Sequence, residues 1–172
     1  MTGKIETLYA GKWLTVRRQG KWEFVSRTGG VEAVVILAID DGHVLLIDQY
    51  RVPLGKRCIE LPVGLIGDEH AGDTALDAGR RELEEETGYT CETVEEIGFF
   101  HASPGMVTEG FTLVRVTGLT KIGEGGGIDG EDIVVHRVPL AEVPAFIAAK
   151  RAEGAAVDVK VLLLLAETIL SA

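Results

Sequence analysis

Cysteine is scarce in this chain of 172 residues: Cys58 and Cys91 are the whole supply. Two thiols are too few for a disulfide framework, and no CxxC is present. Both read as small, partly buried residues in a reducing compartment. Basic charge is also short. Seventeen Lys and Arg face 27 Asp and Glu, a net charge of −10. Such a chain is a poor non-specific binder of nucleic acid or anionic membrane. Long apolar runs are missing too. The longest, Val34–Ile39 and Val161–Ala166, fall far short of the roughly 20 residues a membrane helix needs. Met1–Ala10 has no apolar signal-peptide core. These absences predict a soluble, cytoplasmic protein. No internal repeat or linker divides the sequence, so one domain over residues 1–172 is expected.

Glycine is abundant. Its 22 positions, about 13% of the chain, are roughly twice the usual share and predict many tight turns. The first third reads as strands: Trp13–Arg17, Lys21–Ser26, Val31–Ile39, His43–Gln49 and Arg57–Leu61. Tyr50, at the end of one of these runs, reads as core. Asp73–Thr87 is the clearest helix, with Asp73 or Thr74 to cap its start and Gly88 to close it. Leu76, Gly79 and Leu83 share a face suited to packing on a sheet. Further strands are expected at Val94–His101, Phe111–Thr117 and Asp132–Pro139, and helices at Ala141–Arg151 and Val159–Leu170. The last helix starts apolar nearly all round and is expected to be buried. The loop Lys121–Gly130 carries five glycines and reads as mobile, or as a segment that orders over substrate. Strands and helices do not alternate regularly, so a mixed sheet covered by helices fits best.

Chemistry concentrates in Arg80–Gly88. Glu82, Glu85 and Glu86 stand at i, i+3 and i+4 and share one helix face. The leucine face points elsewhere, which leaves the glutamates at a surface. Like charges at that spacing repel by roughly 0.2–0.5 kcal/mol per pair. The three consecutive glutamates Glu84–Glu86 also fill the last turn, where the helix dipole favours cations. A bound divalent cation removes both penalties, and carboxylate oxygens suit Mg²⁺ or Mn²⁺. A solvated glutamate run partly neutralised by Arg80 or Arg81 is the alternative.

Glu60–Gly67 leads into this helix through a glycine-rich stretch. The combined pattern resembles the Nudix box, G-x5-E-x7-R-E-U-x-E-E-x-G-U. Gly67, Asp73, Arg81, Glu82, Leu83, Glu85, Glu86, Gly88 and Tyr89 match in register. Asp73 stands where the family has glutamate. The glycine that follows Leu-Pro-x in the family matches Gly64, which implies three extra loop residues. Asp48–Arg51, Glu60–Gly64, Ser103-Pro104-Gly105 with Glu109, Glu131-Asp132-Ile133 and Val138–Leu140 are similar to the ADP-ribose pyrophosphatase branch.

The resemblance implies a Nudix-type α/β/α sandwich with a central mixed sheet and an N-terminal antiparallel strand extension. It implies Mg²⁺-dependent hydrolysis of a nucleoside diphosphate sugar, ADP-ribose first, to AMP and ribose 5-phosphate; Mn²⁺ can substitute. GDP-mannose, ADP-glucose, nucleoside triphosphates and dinucleoside polyphosphates are the alternative substrates. A non-catalytic ligand sensor is a further alternative, against which all three box glutamates are present. By resemblance Glu82, Glu86 and the Val63 carbonyl hold metal, and Glu85 shares a further ion. Arg81 pins the loop through Glu85 or Asp73. Glu109 activates water, with His101 a competing base whose structural role is favoured. Arg51 and Arg27 are the phosphate or ribose contacts. Trp22 and Phe24 stack the base or belong to a dimer core. Residues 1–30 are implied to form a homodimer by strand exchange.

Overall fold

The computed structural model describes residues 3–67, 72–128 and 130–170. Eleven strands and three α-helices occupy these residues. Three N-terminal strands, β1 (Glu6–Ala10), β2 (Leu14–Gln19) and β3 (Trp22–Arg27), form an antiparallel sheet of their own. The other eight form a mixed sheet around β4 (Glu32–Asp40). Residues 33–38 of β4 pair in parallel with β9 (Gly110–Lys121), and residues 32–35 pair antiparallel with β7 (Val63–Ile66). The end of β4 turns through Asp41-Gly42, both with positive φ, into β5 (His43–Arg51). On β5 lie β6 (Lys56–Glu60) and β10 (Val134–Pro139), both antiparallel. The two-residue β11 (Ala156–Val157) pairs in parallel with β6, and β8 (Tyr89–His101) pairs antiparallel with β9. The mixed sheet clad by helices agrees with the sequence reading.

Alternation along β4 divides the core in two. Val34, Ile36 and Ala38 pack with Leu45, Val114 and Val116 beneath α1 (Ala75–Thr87). Val35 faces the other way, with Val44, Leu46, Ile59 and Leu61, beneath α2 (Val143–Ala152) and α3 (Leu162–Leu170). In α1 the buried stripe contains Ala78, Gly79 and Leu83. Gly79 lets the helix approach closely: a Cβ there would stand 3.2 Å from Val114 Cγ2 and 3.5 Å from Val34 Cγ2. Thr74 caps the helix reciprocally with Asp77, and Gly88 closes it at φ 71°.

Several expectations need correction. Leu76 is exposed, because the stripe passes through Ala75, Ala78 and Gly79 instead. Tyr50 is half exposed; its neighbours Asp48 and Gln49 on β5 are the buried ones. Val63–Ile66, read as loop, is a strand, because β4 offers it an antiparallel edge. Leu162 and Leu163 are exposed; Val161 and Leu165 are buried in the core and Leu164 packs against it half-buried.

The described part of the glycine-rich loop is tied down. Ile122 and Gly123 donate to the Gly88 carbonyl, Gly126 to that of Glu86 and Gly127 to that of Glu85. The loop thus satisfies carbonyls that the end of α1 leaves open. Contact is so close that a Cβ on Gly88 would lie 2.4 Å from the Gly123 oxygen.

Gly88→Ala therefore loses more than the roughly 1–2 kcal/mol of left-handed strain. Gly20→Ala, at φ 60° with nothing within 4 Å of its Cβ, is expected to lose the strain alone. Urea unfolding of the two variants measures the difference; equal losses would refute the close contact.

Candidate active site

A cleft of about 550 Å³ opens where β3, β5, β6, β7 and the C-terminal half of α1 converge. Its floor carries Glu82, Glu85 and Glu86 from α1. Glu86 is 5% exposed, so the expectation of a surface glutamate face fails for it. The cause is β7, which crosses against the helix. Gly64 lies where any side chain would collide, with a built Cβ only 1.9–2.2 Å from Glu82 side-chain atoms. Gly64 is therefore the glycine of close approach, whereas Gly67 supplies a positive φ of 79° as the chain leaves β7. The Val63 N–H donates to Glu86 Oε2 at 2.9 Å. Val63, expected to act through its carbonyl, thus also orients Glu86 through its amide.

Arg81 supports this floor. Its Nη1 lies 2.9 Å from Glu82 Oε1 and 3.5 Å from Glu85 Oε2, and its Nε 3.9 Å from Asp73 Oδ2. Nη2 reaches the Leu65 carbonyl at 3.4 Å. Both partners named from the sequence, Glu85 and Asp73, are within its reach. The shorter acid at position 73 still meets the guanidinium.

Above the floor the cleft carries three ion pairs. Arg27 Nε donates to Glu109 Oε1 at 2.6 Å. Arg51 grips Glu60 with two bonds, 2.6 and 2.9 Å. Lys160 Nζ lies 2.7 Å from Asp158 Oδ1. Each cation is thus held in place by its own carboxylate. Glu131, on the loop before β10, also lines the cleft. It is anchored by its neighbour: Arg57 holds Asp132 through both side chain and carbonyl at 3.0 Å, and holds Asp48 at 2.6 Å.

These carboxylates act on one another. Burial pushes the Glu86 carboxyl up to about 8, and the charges of Glu82 and Glu131 add to it. The Val63 N–H and the Arg51 charge oppose the rise without cancelling it. Four carboxylates gathered with this deficit of positive charge suit a hard divalent cation. Among the described residues no three of them already converge closely enough to hold a metal. Glu131 was not singled out as a site residue from the sequence. Its signal was the Glu-Asp-Ile segment, whose Asp132 is the anchor.

Trp22 and Phe24 lie on β3, outside the cleft lining; Trp22 is half exposed. Arg27, on the same strand, is in the cleft. His101 packs edge-on against Phe99, with ring centroids 5.3 Å apart, and does not line the cleft. Cys58 and Cys91 are free and buried, and burial pushes the Cys58 thiol up to about 12.

Glu86 keeps its proton to about pH 8 in the fold but only through the ordinary carboxylate range once unfolded. Between those limits the native state binds more protons, so stability falls as pH rises. In chelator, Glu86→Gln is expected to flatten that fall, leaving the variant the more heat-stable protein at pH 8. Thermal unfolding between pH 5 and 8.5 tests this, and identical slopes would refute it.

A NUDIX domain matches residues 29–159. The Methanol dehydrogenase activator of Bacillus methanolicus is 31% identical over 160 residues, covering 87% of this chain and 84% of its own. The ADP-ribose pyrophosphatase of Bacillus subtilis is 35% identical over 136 residues, covering 77% and 70%. A solved structure described as an ADP compounds hydrolase superposes with a TM-score of 0.70 over 98% of this chain and 92% of that one. At 22% identity it speaks to the fold alone. With box glutamates, loop and sheet in the places described, the chain belongs to the Nudix family, in its ADP-ribose pyrophosphatase-like branch, as a pyrophosphate-hydrolysing enzyme.

Proposed function

We propose that the protein is a Mg²⁺-dependent hydrolase of nucleoside diphosphate sugars, cleaving ADP-ribose to AMP and ribose 5-phosphate. The observation that carries this reading is the arrangement of Glu82, Glu85 and Glu86 on the cleft floor, with Arg51 and Arg27 above them. The named pyrophosphatase relative favours ADP-ribose over the other diphosphate sugars.

The residues present fit a divalent cation. Glu82, Glu86 and the Val63 carbonyl would hold it, with Glu85 and Glu131 within the same cleft. Such an ion polarises a pyrophosphate and lowers the pKa of bound water. Arg81 keeps the carboxylates oriented from behind. Arg51 uses Nε and Nη2 on Glu60, which leaves Nη1 without a bond among the described residues. That nitrogen is placed to meet a phosphate oxygen. Arg27 has engaged only Nε, so its two terminal nitrogens serve the same purpose while Glu109 is held over the cleft. Glu109 accepts the proton of the attacking water.

The N-terminal sheet supports a homodimer. Leu8, Tyr9, Trp13, Leu14 and Trp22 are large apolar residues between 43% and 69% exposed on β1–β3 and the adjoining turn. Pairing with a second copy covers them and brings Trp22 and Phe24 to a partner's base site. No helix among the described residues is long and apolar enough to cross a membrane. A cytoplasmic location completes the reading.

Product analysis on ADP-ribose, ADP-glucose, GDP-mannose and nucleoside triphosphates with Mg²⁺ tests the substrate. Preference for ADP-ribose with AMP and ribose 5-phosphate as products is expected. No cleavage of any diphosphate sugar would overturn the proposal. Glu86→Gln is expected to lower kcat/KM by several orders of magnitude. Glu109→Gln is expected to lower kcat while leaving Mg²⁺ affinity, followed by calorimetry, close to that of the unaltered protein.

A further inference from the structure

Gln49 is the one uncharged polar side chain of β5 in the cleft wall, and it is 8% exposed. Its Oε1 is buried and has no hydrogen-bond partner among the described residues. An unpaired buried acceptor costs roughly 1–3 kcal/mol, so a native fold seldom keeps one without use. Gln49 lies opposite Cys58 in the β5–β6 ladder, which puts both on the sheet face shared by Arg51 and Glu60. Asp48 takes the other face, where its Oδ1 accepts from Arg57 Nε at 2.6 Å. The amide thus points along the same wall as the Arg51 fork, two residues away, or about 7 Å along the strand. It also sits deeper than Arg51, whose side chain is 35% exposed.

Charge separates the roles of the two positions. Arg51 is a fixed cation and suits a phosphate oxygen. The orphaned Oε1 of Gln49 is an acceptor, which a phosphate oxygen carrying no proton cannot satisfy but a hydroxyl can. A sugar esterified to the phosphate that Arg51 meets presents ring hydroxyls at comparable reach. We infer that Gln49 is a specificity-determining residue, whose buried amide accepts a hydrogen bond from a hydroxyl of the substrate's terminal sugar. The inference rests on the diphosphate-sugar reading above and adds the group that recognises the sugar.

A leucine at position 49 keeps the volume and removes the acceptor. Gln49→Leu is expected to raise KM for ADP-ribose about tenfold while kcat changes less than twofold. The Ki of ADP, a competitive inhibitor with no terminal sugar, is expected to stay unchanged. Gln49→Glu, which retains an acceptor, is expected to restore part of the affinity. Removal of an orphaned acceptor predicts an unchanged or higher melting temperature for the leucine variant. A KM within twofold of the unaltered protein would overturn the inference, as would an equal rise in KM and in the Ki of ADP. If the unaltered protein cleaves no diphosphate sugar, the substrate reading itself fails. Direct binding of ribose 5-phosphate then decides for Gln49: loss of that binding in the leucine variant supports its role, and unchanged binding or none in either protein overturns it.

Discussion

Negative charge gathered at the negative end of a helix is the constraint around which this protein is built. Glu82, Glu85 and Glu86 occupy the last turns of α1, where the peptide dipoles already disfavour anions. The surrounding chain deepens the difficulty by burying Glu86. Four local devices keep the arrangement. Gly64 removes the side chain that would displace Glu82, and the Val63 amide holds Glu86. Arg81 reaches Glu82 and Glu85 from behind. The amides of Gly126 and Gly127 engage the open carbonyls at Glu86 and Glu85. None of these offsets the burial that pushes the Glu86 carboxyl up to about 8.

The cleft walls follow a different rule. Every cation lining the cleft is already matched to a carboxylate: Arg27 to Glu109, Arg51 to Glu60 and Lys160 to Asp158. An acidic protein that handles an anionic substrate gains from this. Long cationic side chains are held in one geometry before the ligand arrives, so less freedom is lost on binding. For the two arginines, Arg27 uses Nε alone on its carboxylate and Arg51 uses Nε and Nη2.

The sequence made the helix and its chemistry legible, because both depend on residues within one or two turns. Thr74, the glutamate spacing and Gly88 are local signals, and the structure keeps all three. What it hid depends on contacts between distant segments. Glu86 reads as exposed on a helical wheel; only the crossing of β7 buries it. Val63–Ile66 is too short and glycine-bearing to read as a strand until β4 supplies its edge. The 121–128 stretch reads as mobile from its glycines, yet those same glycines permit the backbone contact that fixes it. Of the three β3 residues named from the sequence, Arg27 lines this cleft, whereas Trp22 and Phe24 lie outside its lining. Asp132 belongs to a segment the sequence flags, but its anchoring role becomes visible only when Arg57, 75 residues earlier, meets it.

The loop that carries Glu109 leans on β3. Val25 donates to the Met106 carbonyl and accepts from the Thr108 amide, while Arg27 takes Glu109 itself, across 82 residues of chain. This separation has a kinetic meaning. The β4–β5 hairpin and α1 close short loops and can form early, whereas joining residue 27 to residue 109 carries a larger entropy of closure. The β4–β9 pairing on which α1 packs spans nearly the same length of chain, so the wall that holds Glu109 shares its closure cost with the central sheet rather than with a local hairpin.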